Sequence, residues 1–532
     1  MQRAQEEEVR AQGIEGRAGL RLLQGKRINA QVRWRGVVSP QLPSSSAGTG
    51  MAMPLLTDGL VVFVKRDCPT CVMVEPVIQA LDRAGRTLVV CAQDDPSFPS
   101  AVRHVINDTS LEWSFRYRIE TVPTVVRMSG GEEIDRSVGW EQAEWSRVTN
   151  TPDIGSGLPP WQPGCGSLTT APGVAETLVA RFGDPAIKAR KIEVGEWDDP
   201  VEACFDRGWS DGLPVVPPTD DRILRMLKGT TRKAGEVIGA IPPNLVPCTI
   251  EKVAINAVMA GCKPEYMPVL LAALEAALEP KFTLHGLTCS TCFSSPIIVV
   301  NGPVAKAIGM NWGVNVLGQG NRANATIGRA LNLVVRNVGG GIPGGIDRAT
   351  IGGPHKIGLC FPEDETDPAW VPLAVARGVA RGKSAVTLFQ GDAMQGFVDQ
   401  RSRTPDELTR SLAMALFAAG HPKLCEVVNA MLVLGPEHYA IYHEAGWDRA
   451  RIQAALHAAL KRPGRELVMG AHGVGEGIPA DRAEEVVDKF WPEGLLIVRA
   501  GGDAGFFSAI LAGWTGGRFR EETQPITREV HA

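Results

Sequence analysis

Cys68-Pro69-Thr70-Cys71 stands directly after an apolar run and at the head of a helix-like stretch. There the partial positive charge of a helix N-terminus favours a thiolate on Cys68, and Cys71, one turn on, can resolve a mixed disulfide. Lys65 and Arg66 add positive field, whereas Asp67 opposes it. A CxxC pair is equally half of a zinc site, which would need more thiolate or imidazole ligands; Cys91 and His104 are the candidates in the same segment. Two features bear on the choice: Pro76, five residues after Cys71 inside the helix, and Thr121-Val122-Pro123-Thr124 before a later strand.

Other chemistry-bearing residues lie further along. Cys289-Ser290-Thr291-Cys292 is a second CxxC with His285 four residues upstream. It can exchange electrons with the first pair or bind a soft metal, and the plainer reading is two small core residues before a strand. Gly318 to Asn324 runs into a helical pattern, where backbone amides with Arg322 and Asn324 suit a phosphate or carboxylate, or form only a turn. It is neither a Walker nor a Rossmann fingerprint. The loops Gly339 to Gly345 and Gly501 to Gly505, the latter with Asp503, allow close backbone approach to a ligand or between elements. His472 and Glu476 share a glycine-rich loop that suits acid/base work but brings no nucleophile. His438 and His443, five apart, miss the spacing that puts two ligands on one helix face and read as solvated or packing residues. Trp209 to Thr219 is a rigid loop leading into a helix and can wall a pocket. Cys165 reads as a linker cysteine which, if mobile, can still meet the first dithiol.

The elements that position these residues follow from hydrophobic patterning. Strands are expected at Leu60 to Val64, Thr87 to Cys91 and Thr124 to Met128, with helices at Cys71 to Ala84 and Glu141 to Val148. Residues 151–173 hold five glycines and five prolines, the composition of an extended linker. Beyond it, apolar strands end in glycine loops at Ile297 to Val300, Val386 to Phe389, Met431 to Leu434 and Leu495 to Val498, which suggests a buried, mainly parallel sheet. An internal echo suggests two related halves. Thr249 and Thr404 each open a helix closing on Ala-Gly, and each is followed by a strand ending in Gly-Pro, at 302–303 and 435–436. The expected organisation is a disordered or spurious leader over 1–50, with Met51 or Met53 as the working start. A small α/β domain over 51–150, the linker, a large α/β domain over 174–520 and a tail over 521–532 follow.

The 532 residues carry 55 basic and 59 acidic groups, a net charge of −4 that leaves no electrostatic footprint for nucleic acid or an anionic membrane. Hydrophobic residues make up 44%, yet no apolar stretch reaches the ~18 residues needed to cross a bilayer. Eleven cysteines, an odd number, suggest reduced thiols in a cytoplasm.

With Cys68-Pro69-Thr70-Cys71, Pro76 and Thr121-Val122-Pro123 in view, residues 55–148 resemble the thioredoxin and glutaredoxin superfamily. That resemblance implies Cys68 as nucleophile, Cys71 as resolving thiol and Pro123 as a cis-proline against the sulfurs. The buried acid of thioredoxins is replaced by Val62. The remainder is similar to UGSC-type cysteine/selenocysteine proteins through Cys165-Gly166-Ser167, with Leu168 in place of that motif's final cysteine.

The function expected is dithiol–disulfide exchange, coupled to a large domain that binds or transforms a small molecule. The partner is a small-molecule or protein disulfide, and a homo-oligomer is compatible. No cofactor is required beyond glutathione or a thioredoxin-type reductant. The alternatives are a soft-metal protein binding zinc, copper or mercury through Cys68, Cys71, Cys289 and Cys292, and a lyase or hydrolase with a reducing module.

Overall fold

The computed structural model describes residues 55–183, 187–195, 197–515 and 523–531; the expected leader over 1–50 lies outside them. Helices alternate with two main sheets in an α/β arrangement. The described residues of 55–190 and 200–531 belong to one compact unit, and the described part of 191–199 forms no helix or strand.

The small sheet comprises β1 (Gly59–Val64), β2 (Leu88–Ala92), β3 (Val105–Asn107), β5 (Thr124–Ser129) and β6 (Glu132–Val138), with the two-residue β4 (Thr121–Val122) just before β5. Its order is β3-β2-β1-β5-β6, parallel from β1 to β3 and antiparallel from β1 to β6. Leu60 to Val64 are all buried, as the continuous apolar run of a central strand covered on both faces requires. Helix α1 (Pro69–Arg83) buries Val74, Val77, Ile78 and Leu81 at helical spacing. Helix α2 (Gln142–Thr149) adds Trp145 and Val148 to the same core.

Residues 151–173 are not a free linker. They lie back over the small sheet as a strap, through β7 (Trp140–Glu141) with β8 (Trp161–Gln162) and β4 with β9 (Cys165–Gly166). Trp140 Nε1 donates to the Pro159 carbonyl at 2.7 Å, and Thr70 Oγ1 to that of Pro163 at 2.6 Å. Proline and glycine exclude helices and long ladders, but they do not exclude packing. Gly164 shows how closely it packs: a Cβ there would stand 2.5 Å from Thr121 Cγ2 and 2.7 Å from the Val122 oxygen.

Helix α3 (Val174–Phe182) connects the strap to the larger body. Phe182 meets Phe115 of the small part at 6.4 Å between ring centroids, and Glu176 pairs with Lys228 at the end of α4 (Asp220–Leu227). The hairpin β10 (Val237–Ile241) and β11 (Val246–Thr249) then leads to α5 (Ile250–Ala260) and α6 (Met267–Leu278).

The large sheet has seven strands: β12 (Ser295–Asn301), β13 (Leu359–Pro362), β14 (Ala385–Val398), β15 (Val428–Leu434), β16 (Leu495–Arg499), β17 (Phe507–Thr515) and β18 (Ile526–Glu529). The order is β13-β12-β14-β17-β15-β16, with β18 also on β14. Only β12/β13 and β15/β16 are parallel; β12/β14, β14/β17, β15/β17 and β14/β18 are antiparallel, so the expectation of a mainly parallel sheet is corrected. β12 and β15 are buried throughout, and burial on both faces produces the same continuous apolar run in either strand direction. Ile298 and Val300 face a cluster with α5, α6 and α7 (Arg322–Asn337), while Ile297 and Val299 join Met431 and Val433 on the other side. The expected tail is corrected too, since β18 is part of the sheet and Thr527 Oγ1 meets Thr387 Oγ1 at 2.9 Å.

The halves repeat in topology. β12, β13 and β14 stand to one another as β15, β16 and β17 do, and β14 meets β17 at the centre. In each half the glycine ending the first strand is pressed on the chain beside the third: a Cβ would lie 2.3 Å from Lys383 O at Gly302 and 2.0 Å from Phe507 O at Gly435. Thr404 forms a full capping box at the head of α8 (Pro405–Phe417), and Thr249 caps α5. A further pair of helices, α9 (Pro436–Glu444) and α10 (Arg449–Ala459), covers β15 and β16.

Candidate functional site

Cys68 is the N-cap of α1. Its backbone is extended, and its sulfur accepts the Cys71 N–H at 3.4 Å, while Pro69 occupies the first helical position, where no amide is needed. When protonated, the Cys68 thiol donates to the Val122 carbonyl at 3.6 Å, across from α1. The Val122–Pro123 peptide is cis, so Pro123 adjoins this contact in the form expected of it. Both Cys68 and Cys71 are buried, Cys71 completely.

A third thiol completes the group. Cys165 on β9 stands opposite Val122, the residue that receives the Cys68 thiol. The Cys71 thiol first, and then the thiol and backbone amide of Cys165, hydrogen-bond Cys68 and outweigh burial, lowering its pKa to about 5. Burial, reinforced by Cys68, pushes the Cys71 thiol far above the ordinary range. Burial followed by Cys68 also raises Cys165, which is only half-buried and is partly relieved by Lys65 and the Thr70 amide. The charges flanking the motif matter less than the sequence suggests. Arg66 is turned to Asp95 at 3.0 Å, and the Asp94 carboxylate accepts the amides of Arg66 and Asp67.

The strap that delivers Cys165 is anchored by buried polar residues that sequence reasoning passed over. Gln93 Nε2 donates to Ser114 Oγ at 2.8 Å and Ser167 Oγ at 2.7 Å, and Gln93 Oε1 accepts the Leu168 amide. Ser114 in turn donates to Asp108 at 2.6 Å, and the Ser167 amide to the Glu120 carbonyl at 2.9 Å. Burial raises the pKa of Asp108 against the hydrogen bonds of Ser114, and the Asp108 charge adds to the burial that raises Cys91. A polar residue directly after an apolar strand, as Gln93 is after β2, was the available signal.

The other sequence-selected residues are not gathered here. Cys91 is buried in β2, whereas His104 is exposed. Cys289 ends the short helix Leu284–Cys289 and Cys292 packs on the large core, while Cys68 and Cys71 lie in the small core. His285 is exposed on that helix. Arg322 spends its guanidinium on the carbonyls of Gly261 and Cys262, at 2.8 and 3.4 Å. The Asn324 amide is buried and binds the backbone of Asn311 and Val316. Gly339 crosses tightly over Pro242, as the plainer reading of that loop has it. Arg329 grips Asp211 of the Trp209 to Thr219 loop at 2.7 and 2.8 Å. Asp503 and His472 are exposed, and the His472 loop is held from beneath by buried Lys423, which donates to the Val468, Ala471 and Val474 carbonyls. His438 is buried rather than solvated, bonded to Ser508 Oγ at 2.8 Å and the Asp399 carbonyl at 3.1 Å. His443 meets Tyr439 at 3.1 Å.

Where β12, β13 and β16 end, Glu363 accepts from Asn301, Trp370 and the Leu373 amide and pairs with Arg449, and Asp364 pairs with Arg499 at 2.7 Å. A cleft of about 380 Å³ is lined by Arg377, Arg449, Gln453 and Glu493. Among the described residues no three of His, Cys, Asp or Glu are disposed to hold a metal ion, and no helix is long and apolar enough to cross a membrane. No protein-family model matches this chain, and no curated protein matches it.

Proposed function

We propose that this protein is a thiol–disulfide oxidoreductase in which Cys68 attacks a disulfide and Cys71 resolves the mixed disulfide. The observation that carries the reading is the Cys68 sulfur at the head of α1, accepting the Cys71 amide with a second thiol one turn away. A nucleophile ionised at neutral pH and a neighbour held protonated until it is needed are what exchange requires. The resemblance to thioredoxins and glutaredoxins supports the same roles, with Pro123 beside the sulfurs. Glutathione or a thioredoxin-type dithiol would return the electrons.

The large domain, for which the UGSC-type resemblance supplies no reaction, binds or presents the substrate in this reading. The cleft lined by Arg377, Arg449, Gln453 and Glu493 has the size for a small molecule. The direct test is reduction of a small disulfide by the full chain at neutral pH. Cys68→Ser abolishes turnover. Activity unchanged in both Cys68→Ser and Cys71→Ser proteins overturns the reading.

A further inference from the structure

We propose that Cys165 is a second resolving thiol, able to attack the mixed disulfide on Cys68 and close a Cys68–Cys165 bond that fastens the strap over the dithiol. The inference rests on Cys68 being the nucleophile, as proposed above, and goes beyond it in assigning the strap a chemical role.

Geometry comes first. β9 pairs antiparallel with β4, which sets Cys165 across from Val122, and the Val122 carbonyl is the partner of the Cys68 thiol. The strap cannot drift from this register easily. Thr70, between the two cysteines of α1, donates to Pro163, and the Ser167 amide is bonded to Glu120 on the far side of Cys165. Gly164, next to Cys165, is in closer contact with Thr121 and Val122 than any side chain would allow. Cys165 is thus held on both sides, in register with the residue whose carbonyl meets the Cys68 thiol.

Access then separates the two candidate resolving thiols. Cys71 is completely buried, whereas Cys165 is half-buried at the edge of the site. Exchange proceeds through the thiolate, so the less desolvated thiol ionises more readily, and it can receive or lose a proton to water.

The chemistry balances without another cofactor. The Cys68 thiolate attacks a disulfide R–S–S–R′; a Cys68–S–R bond forms and R′S⁻ leaves. The Cys165 thiolate then attacks the Cys68 sulfur, and the bond to R breaks with RS⁻ as leaving group. The proton lost by Cys165 goes to RS⁻ through solvent. The substrate disulfide has gained two electrons, and the Cys68/Cys165 pair has lost them. A thiol reductant of the glutathione class restores both thiols by the same exchange in reverse.

The experiment uses the full chain, reduced and then mixed with oxidised glutathione, quenched with an alkylating agent at timed intervals and digested with trypsin. Cleavage after Arg66 and Arg83 leaves Cys68 and Cys71 on one peptide, and cleavage after Arg147 and Arg181 leaves Cys165 on another. A Cys68–Cys165 bond therefore appears as two joined peptides, and a Cys68–Cys71 bond as one. In Cys71→Ser, and in Cys71→Ala as a second substitution at that buried position, the joined peptides accumulate and glutathione does not persist on Cys68. In Cys165→Ser, at a half-exposed position, joined peptides never form, and in the Cys71→Ser/Cys165→Ser double variant the glutathione adduct lives longer than in Cys71→Ser by about tenfold or more. Glutathione retained on Cys68 in the Cys71 variants without joined peptides overturns the role of Cys165 and leaves the dithiol reading standing. Failure of Cys68 to take up glutathione in any variant overturns the dithiol reading itself, and this inference with it.

Discussion

At the scale of single residues, the consequence of three neighbouring thiols is one sulfur that ionises early. Alkylation of Cys68 by iodoacetamide, followed by peptide mapping, is expected to be half-maximal near pH 5 and flat above about pH 7, whereas an ordinary cysteine is still rising at its usual value of about 8.5. Replacing Cys165 with alanine removes a hydrogen-bonding thiol, so the midpoint moves upward; a midpoint that does not move would take Cys165 out of the group that lowers it. The same shift has a stability consequence. Because the folded pKa lies below the unfolded one, the reduced protein gains stability that is fully present above about pH 8.5, shrinks as the pH falls and is gone below about 5. Chemical denaturation of the reduced wild type and Cys68→Ser proteins at pH 5 and 9 checks the sign. The CxxC motif and its helix were legible in the sequence because both are local. The place of Cys165 was not, since it depends on a pairing of β9 with β4 more than forty residues away.

At the scale of elements, the strap is the structure that composition misread. Residues rich in proline and glycine form no long ladder, yet two-residue pairings, Trp140 bonded to Pro159 and the Gln93 network fix the segment. Gly164→Ala is expected to cost about 1–3 kcal/mol, because its Cβ meets the Val122 carbonyl oxygen and the Thr121 methyl, and one of these must give way. It also raises the pH midpoint of Cys68 alkylation as Cys165 withdraws; full wild-type stability and reactivity together would contradict the packing described. Thr404→Ala, which removes the hydroxyl that accepts the Glu407 amide at the head of α8 and leaves the Glu407 carboxylate on the backbone amide at position 404, is expected to lower stability by about 1 kcal/mol without touching Cys68 reactivity, as thermal unfolding and the alkylation assay would show. Strands and helices with strong periodicity were readable in place. Strand direction was not, because the apolar runs of β12 and β15 record burial on two faces and carry no information on which neighbour runs antiparallel.

At the scale of the whole molecule, two sheets with separate cores are joined through the strap and α3, and the large sheet repeats its three-strand arrangement about the β14/β17 pair. The matching glycines 302 and 435 were legible as an echo in the sequence; the symmetry that explains them required the strand order. Buried ion pairs tie the ends of the large sheet together. Arg449→Met leaves Glu363 without its ion-pair partner in the interior, and a loss of about 3–5 kcal/mol is expected in equilibrium unfolding, against almost none for a surface pair such as Arg66–Asp95. Dithiol exchange itself belongs to the small sheet, and thiol trapping of the full chain in graded glutathione buffers reads it out. A two-electron couple involving Cys68 is expected at roughly −270 to −200 mV, the span between thioredoxins and glutaredoxins. Thiols that remain free at every poise, or that titrate with no dependence on Cys68, would contradict it.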